Sequence, residues 1–372
     1  MTGGANPPIS GRAATGSITV TSEVAGRIII DGRDTGIRIK AGGRAPVQNV
    51  AMGDTNVEIS GDDGERYPAA AVVRVPEGKS VHAEIKKPTS GMIWEAADGK
   101  VTITGYEGAA KDVLIPAIIG GLPVIGIGGY AFREKALTSV IIPNSVTSIG
   151  DSAFSGNQLT SVTIPNSVTS IGVAAFFGNK DLKAITVSAG NRSYIAIDGI
   201  LFSKDATLLH TVPDGKRLNT YTIPNSVTYI GVFAFSGNQL TSVIIPNSVT
   251  SIGGGAFYGN QLTSVTIPNS VTSIDSFAFW YNQLTSVTIP NSVTSIGSFA
   301  FSSNQLTSVT IPNSVTSIGS FAFSSNQLTS VTIGSNVALS DSAFYNSFGD
   351  YYTSAGKRAG TYHLRNGQWS RQ

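Results

Sequence analysis

Leu284-Thr-Ser-Val-Thr-Ile-Pro-Asn-Ser-Val-Thr-Ser-Ile-Gly-Ser-Phe-Ala-Phe-Ser-Ser-Asn-Gln305 recurs on both sides of itself with small changes. Leu240, Leu262, Leu284, Leu306 and Leu328 fall at a constant step (262 − 240 = 22). A fixed period of this size marks a solenoid. One unit is too small to bury its own apolar face, so it stacks on copies of itself.

Inside the unit, Val287 and Ile289 alternate with Ser286 and Thr288, which predicts a strand with its apolar side inward. Pro290 ends the strand because it cannot donate to a ladder. Val293 and Ile296 stand three apart, a spacing that suits a short helical or irregular return. Gly297 permits a turn, and Phe299, Ala300 and Phe301 are expected to fill the wide part of the coil. Asn304 is expected to stack with Asn282 and Asn326 into an asparagine ladder. At the strand spacing of a sheet, roughly ten such coils give a rod about 45–50 Å long.

Outward from this centre the copies loosen. Earlier copies begin at Leu137, Leu159, Leu182 and Leu218, and the step from Leu182 to Leu218 is 36. That unit carries about 14 extra residues relative to the period. They include Tyr194-Ile-Ala-Ile-Asp-Gly-Ile-Leu-Phe202, where Asp198-Gly199 signals a β-hairpin, expected to project from one rim. Val113–Pro116 and Ile127–Phe132 form a degenerate first copy. After Leu328 the repeat decays, and Asn366-Gly367 predicts a terminal hairpin pairing Leu364 with Trp369 over the last open edge.

The organisation that follows is a flexible leader (1–16), a small all-β domain (17–87), a linker (88–97), the solenoid (98–349) and a capping tail (350–372). In the small domain, the segments 17–21, 27–31, 56–60, 71–75 and 81–85 read as strands, with a turn at Asp31-Gly32.

Composition narrows the function. The chain has 372 residues, 41% apolar and 13% charged, with a net charge of +2 and no cysteine. The charge gives no basic stripe for nucleic acid. Without cysteine there are no disulfides or thiolate ligands, and the redox compartment stays open. No apolar run reaches transmembrane length. The first ten residues lack the features of a signal peptide, so either a cytoplasmic protein or a trimmed export signal fits.

The motif Leu-x-x-Val-x-Ile-Pro-x-x-Val-x-x-Ile-Gly-x-x-Ala-Phe resembles the BspA-like (treponemal) leucine-rich repeat family over roughly residues 98–349. The Tyr194–Phe202 insertion and the Gly356–Trp369 tail are similar to segments of that family. Ala25–Gly36 is similar to PEGA-type β domains, with Ile37-Arg-Ile-Lys40 where a proline-containing segment is usual. The resemblance implies a right-handed leucine-rich-repeat coil, mostly β with short irregular or 3-10 returns, beside a small N-terminal all-β domain. It also implies cell-surface or secreted proteins that bind host matrix proteins, other bacteria or glycans.

Residues for catalysis are sparse. Between Leu218 and Gly349 the charged side chains are Asp275 and Asp341, and there is no histidine. General acid–base chemistry and metal binding need clustered titratable donors. His82, His210 and His363 lie in separate segments and read as single structural or surface residues; Asp198, Asp205 and Asp214 read as turn residues. Gly253-Gly-Gly255 is followed by no Lys-Ser/Thr and is no phosphate loop. Asn191-Arg-Ser193 is a chance sequon. No catalytic residue, metal or cofactor is expected.

Two surfaces remain as binding candidates. One is the Ser/Thr strand face, with Thr163, Thr266, Thr288 and Thr310. It reads as a solvated sheet face, as a neutral hydrogen-bonding platform for a protein or glycan, or, against the curvature expected of the coil, as an ice-binding rank of threonines. The other is the turn before the asparagine, where Phe177, Tyr258, Trp280 and Tyr281 replace serine or glycine. Those rings either anchor a ligand or pack on the neighbouring turn. The expected function is non-enzymatic adhesion to a protein, matrix component or glycan, with self-assembly into a surface layer or filament as the alternative.

Overall fold

The computed structural model describes residues 15–51, 53–62, 66–68, 73–76, 78–85, 89–340, 342–344 and 347–372. Most of the expected leader, part of the 71–75 strand, residues 86–88 of the linker region and Asp341 lie outside them.

The N-terminal segment is all β. A three-stranded sheet orders Gly43–Ala51, Thr15–Ser22 and Ser80–Ile85, and a four-stranded sheet is built around Gly26–Ile30 and Val57–Gly61. Ile18, Val20, Ile28 and Ile59 are fully buried between them. Asp31 and Gly32 both have positive φ, as a tight hairpin turn requires.

From Met92 onward the chain coils. Each regular coil contributes two strand rows. The Ser-Val-Thr row pairs in short parallel groups, such as Ser161–Ile164 with Ala184–Val187 and Ser308–Thr310 with Ser330–Ile333. The second row is Ser295–Ile296 and its equivalents, which extend a nine-stranded sheet from Tyr194–Ile197 to Ala338–Leu339. The return was expected to be irregular or helical. It contains a two-residue strand instead, and that row is the continuous one. The Val293–Ile296 spacing let both apolar residues point inward while Ser295 and Ile296 joined a ladder with Ser317 and Ile318.

Phe301 and Ala300 are fully buried, and Phe235, Phe257, Phe279, Phe301, Phe323 and Phe344 stack as one column with centroid steps of 5.0–5.4 Å. Phe299 does not join them. Its backbone is left-handed (φ 58), and the same position has positive φ in the coils from Tyr130 to Ser342 other than the inserted one. That twist turns the first phenylalanine of Phe-Ala-Phe out of the core.

The asparagine ladder is present. Asn304 donates through Nδ2 to the carbonyls of Phe301 (3.0 Å) and Phe279 (2.9 Å), and its Oδ1 accepts from Leu284 N–H (3.0 Å). Asn282 and Asn326 repeat the pattern. Each asparagine thus satisfies buried backbone groups of its own coil and the one before.

The insertion does not project. Tyr194–Ile197 and Ile200–Ser203 form the predicted antiparallel hairpin, and Leu208–Thr211 then carries it into the sheet, pairing parallel with Tyr229–Ile230. Leu201 packs into the core below, while Ile200 and Phe202 pack into the core above. A strand apolar on both sides is stable when both faces are covered. The hairpin therefore partitions the solenoid into two cores.

Both ends are closed. Tyr106 meets Phe132 at the start of a second, shorter stack, Phe132–Phe154–Phe176, and its hydroxyl donates to Ala110 O (2.9 Å). At the far end the tail hairpin pairs Leu364 with Trp369 as expected and adds antiparallel to Ser330–Ile333. A helix, Phe348–Ser354, which the sequence did not announce, completes the plug. Phe348 touches Phe344, Tyr362 and Trp369 edge to face.

Candidate functional site

The outward-turned phenylalanines and the turn aromatics form one strip. Phe277, Phe299 and Phe321 stack at 5.2 and 4.9 Å. Trp280 lies against Phe277 (5.3 Å) and Phe299 (5.7 Å), and Tyr258 stacks on Trp280 at 4.9 Å. Phe233 extends the strip to Phe177 at 5.5 Å. Phe177, Tyr258, Trp280 and Tyr281 are thereby brought onto one side of the rod.

Exposure separates these rings. Phe177, Tyr258 and Trp280 are half-buried, because each ring covers its neighbour. Tyr281 is 57% exposed and Phe321 40%. Tyr281 also has φ 56. A side chain there costs about 1–2 kcal/mol relative to glycine, the residue at Gly259 one coil earlier. Sequence inspection passed over Phe277, Phe299 and Phe321 as core residues. Their 22-residue step was visible, but the left-handed backbone that exposes them was not.

Thr163, Thr266, Thr288 and Thr310 are exposed on the other strand row. Thr163 and Thr186 share a hydroxyl–hydroxyl bond of 2.8 Å, Thr266 bridges Thr288, and Thr310 pairs with Thr332. The rank is interrupted by Ile244, 61% exposed in a threonine place.

The perturbed titratable groups of the insertion serve the fold. Ile171 N–H donates to the Tyr194 hydroxyl (2.8 Å), and His210 Nε2 donates to Ile171 O (3.1 Å). Asp214 accepts from Gly178 N–H (2.8 Å). Burial holds His210 below the ordinary imidazole value and pushes the Asp214 carboxyl up to about 6. Asp205 accepts from Ser203 and Thr207, and Asp198 pairs with Lys216. Asn191 is buried and donates to Pro165 O and Val168 O, so its amide is committed. His82 contacts Thr21, and His363 contacts Gln372. Among the described residues no three His, Cys, Asp or Glu side chains converge, and no helix is long and apolar enough to cross a membrane.

The profile of the BspA type leucine rich repeat region matches residues 123–212 and 228–349 in 6 copies. Among solved structures, a leucine-rich cell surface protein of Faecalibacterium prausnitzii A2-165 is 25% identical, covering 68% of this chain and 93% of its own, with a TM-score of 0.46. A leucine-rich repeat protein of Bacteroides ovatus ATCC 8483 is 26% identical, covering 69% of this chain and 67% of its own, with a TM-score of 0.44. The T. pallidum leucine rich repeat protein is 24% identical, covering 58% of this chain and 87% of its own, with a TM-score of 0.27. No curated protein sequence is significantly similar to the chain.

Proposed function

Because the chain belongs to the BspA-type leucine-rich repeat family, we propose that it is a non-enzymatic binding rod, secreted or displayed at a bacterial surface. The observation that carries this reading is the aromatic strip from Phe177 to Phe321, most of it on coils after Leu218 that carry almost no charge. Aromatic rings left half-open on a rigid scaffold are the usual anchors of recognition. The coils hold them in fixed register, so little ordering entropy is lost on binding. The separate Ser/Thr row is a solvated sheet face in this reading.

The test is binding of the full chain and of residues 92–372 to immobilised matrix proteins and glycans. Saturable binding by both supports the reading. Binding by neither piece to any surface rejects it.

Self-assembly is favoured by one feature. Met92–Ala97 is an outer strand whose residues from Ile93 to Ala97 are all exposed, including Trp94. Such an edge is a template for another strand. Oligomers that grow with concentration and vanish in Trp94→Lys support this alternative.

A further inference from the structure

The repeats provide their own internal control. Coils Leu284–Gln305 and Leu306–Gln327 are identical in sequence, and the coil Leu262–Gln283 departs from them at Asp275, Trp280 and Tyr281. The coil before it departs at Gly254, Gly255, Tyr258 and Gly259 in the same part of the unit, and at Ile244 on the other strand row. In this part of the rod, all differences but Ile244 fall in the second half of the unit.

The substitution at Asp275 opposes the packing. Glycine stands there in the neighbouring coils, and a Cβ on Gly297 would lie 2.3 Å from Ser276 N. At the Asp275 joint the ladder keeps Ile252↔Ile274 alone, whereas the next joint pairs both Ser273↔Ser295 and Ile274↔Ile296. Gly297 and Gly319 donate to the isoleucine carbonyl one coil back (2.8 Å each); no such bond from Asp275 is present among the described residues. A chain that repeats itself closely and breaks its own packing rule at one coil places a function there.

Asp275 lies within a groove of about 660 Å³ lined also by Val232, Gly254, Ser276, Ser295, Ser317 and Ser340. The groove runs across the coils from Val232 past Asp275 to Ser340, roughly 24 Å at strand spacing. Between Leu218 and Ser340 there is no Lys, Arg or His to pair with the carboxylate. No hydrogen bond to its oxygens is present among the described residues. Partial desolvation by the flanking coils raises its carboxyl above the ordinary value. Tyr229 is held neutral first by desolvation and then by the Asp275 charge. Two residues after Asp275, Phe277 joins the aromatic strip.

We propose that the Asp275 groove and the open rings of Tyr281 and Phe321, on the aromatic strip that Phe277 joins, bind a neutral oligosaccharide lying across the coils. This rests on the binding-rod reading above and names its ligand class. The serine hydroxyls and Asp275 offer acceptors and donors to a hydroxyl-rich chain, and a carboxylate takes the stronger, charge-assisted bonds from those hydroxyls. The rings offer apolar faces to the C–H side of a sugar. A basic protein partner would find one negative charge on an otherwise neutral array in a chain of net charge +2, with little field to steer it.

The experiment is calorimetric titration of the full chain with neutral hexasaccharides of glucose, mannose, galactose and N-acetylglucosamine, and with hexalysine. Asp275→Gly and Tyr281→Ser are measured beside it. Both variants restore residues of the identical coils, so they fold. The expected result is saturable binding of at least one hexasaccharide, weakened tenfold or more by Asp275→Gly and several-fold by Tyr281→Ser, with hexalysine inert. Equal affinity in wild type and both variants, hexalysine binding lost in Asp275→Gly, or no hexasaccharide binding overturns the proposal. Binding of a matrix protein without any hexasaccharide binding leaves the rod reading standing and removes this inference alone. Failure on every surface removes both.

Discussion

The coils from Leu284 to Gln327 and the inserted unit from Leu182 to Arg217 solve the same problem with different chemistry. In the regular coils, backbone donors find backbone acceptors one coil away, and one neutral asparagine per turn completes the set. At the insertion, the ladder is completed by Tyr194, His210 and Asp214. The asparagine that follows it, Asn238, keeps an Oδ1 without a partner among the described residues and makes a single long bond to Ser236 O (3.3 Å). A solenoid therefore tolerates an interruption when substitute side chains meet the backbone groups it exposes. The substitute partners are titratable, which makes this joint sensitive to pH where the regular coils are not.

The comparison breaks most visibly in the core. Phe301→Ala removes a ring stacked on both sides and should cost about 3–5 kcal/mol in chemical denaturation. Phe299→Ser, two residues away, should cost less than about 1 kcal/mol, since that ring lies outside the core. A loss from Phe299→Ser as large as that from Phe301→Ala would place both phenylalanines inside.

The joint is sharpened by pH. Asp214 has its folded value raised from 3.8 to about 6, so the native state holds the proton more tightly. Its contribution to stability is present in acid and falls as pH rises from about 4 to 6. The shift corresponds to about 3 kcal/mol at most. Asp214→Asn keeps an acceptor for Gly178 N–H and should flatten this fall, raising the melting temperature above pH 6. His210, held neutral by burial, acts in the opposite sense, with stability gained as pH rises towards 6.5. Identical pH profiles for wild type and Asp214→Asn would show that the carboxylate is solvated.

The asparagines give a smaller contrast. Asn304→Ala leaves Leu284 N–H unpaired in the interior, while Phe279 O keeps Asn282 and Phe301 O keeps Asn326, and should cost about 1–3 kcal/mol. Asn238→Ala should cost under about 1 kcal/mol, because little is bonded there. Equal losses in urea melts would refute the distinction. The smallest effect is expected from removing Leu284–Gln305 whole. The next coil is identical, so the stack closes up and the variant folds.

Much of this was legible in the residues. The step between leucines, the inward Val and Ile, the ladder asparagines and the terminal hairpin are local patterns, and each acts within one coil or its immediate neighbour. The Tyr258–Trp280 pair was legible for the same reason, since equal positions in stacked units lie side by side, whereas Phe177 joins the strip only through Phe233. Phe299 was not, because a 22-residue period says that a residue recurs and nothing about which way its backbone turns. The left-handed φ at that position arises as the coil closes.

By itself the sequence determined a stacked, nearly uncharged solenoid, because periodicity, side-chain volume and hydrogen-bonding type are properties of the unit. Tertiary structure decided which phenylalanine is core and which is surface. It also turned the insertion into a partition, made His210 and Asp214 structural, and set Asp275 in a groove. These outcomes depend on partners one or more coils away, such as His210 on Ile171 and Asp214 on Gly178. Contacts of that range are fixed by closure of the whole stack, which no single repeat encodes.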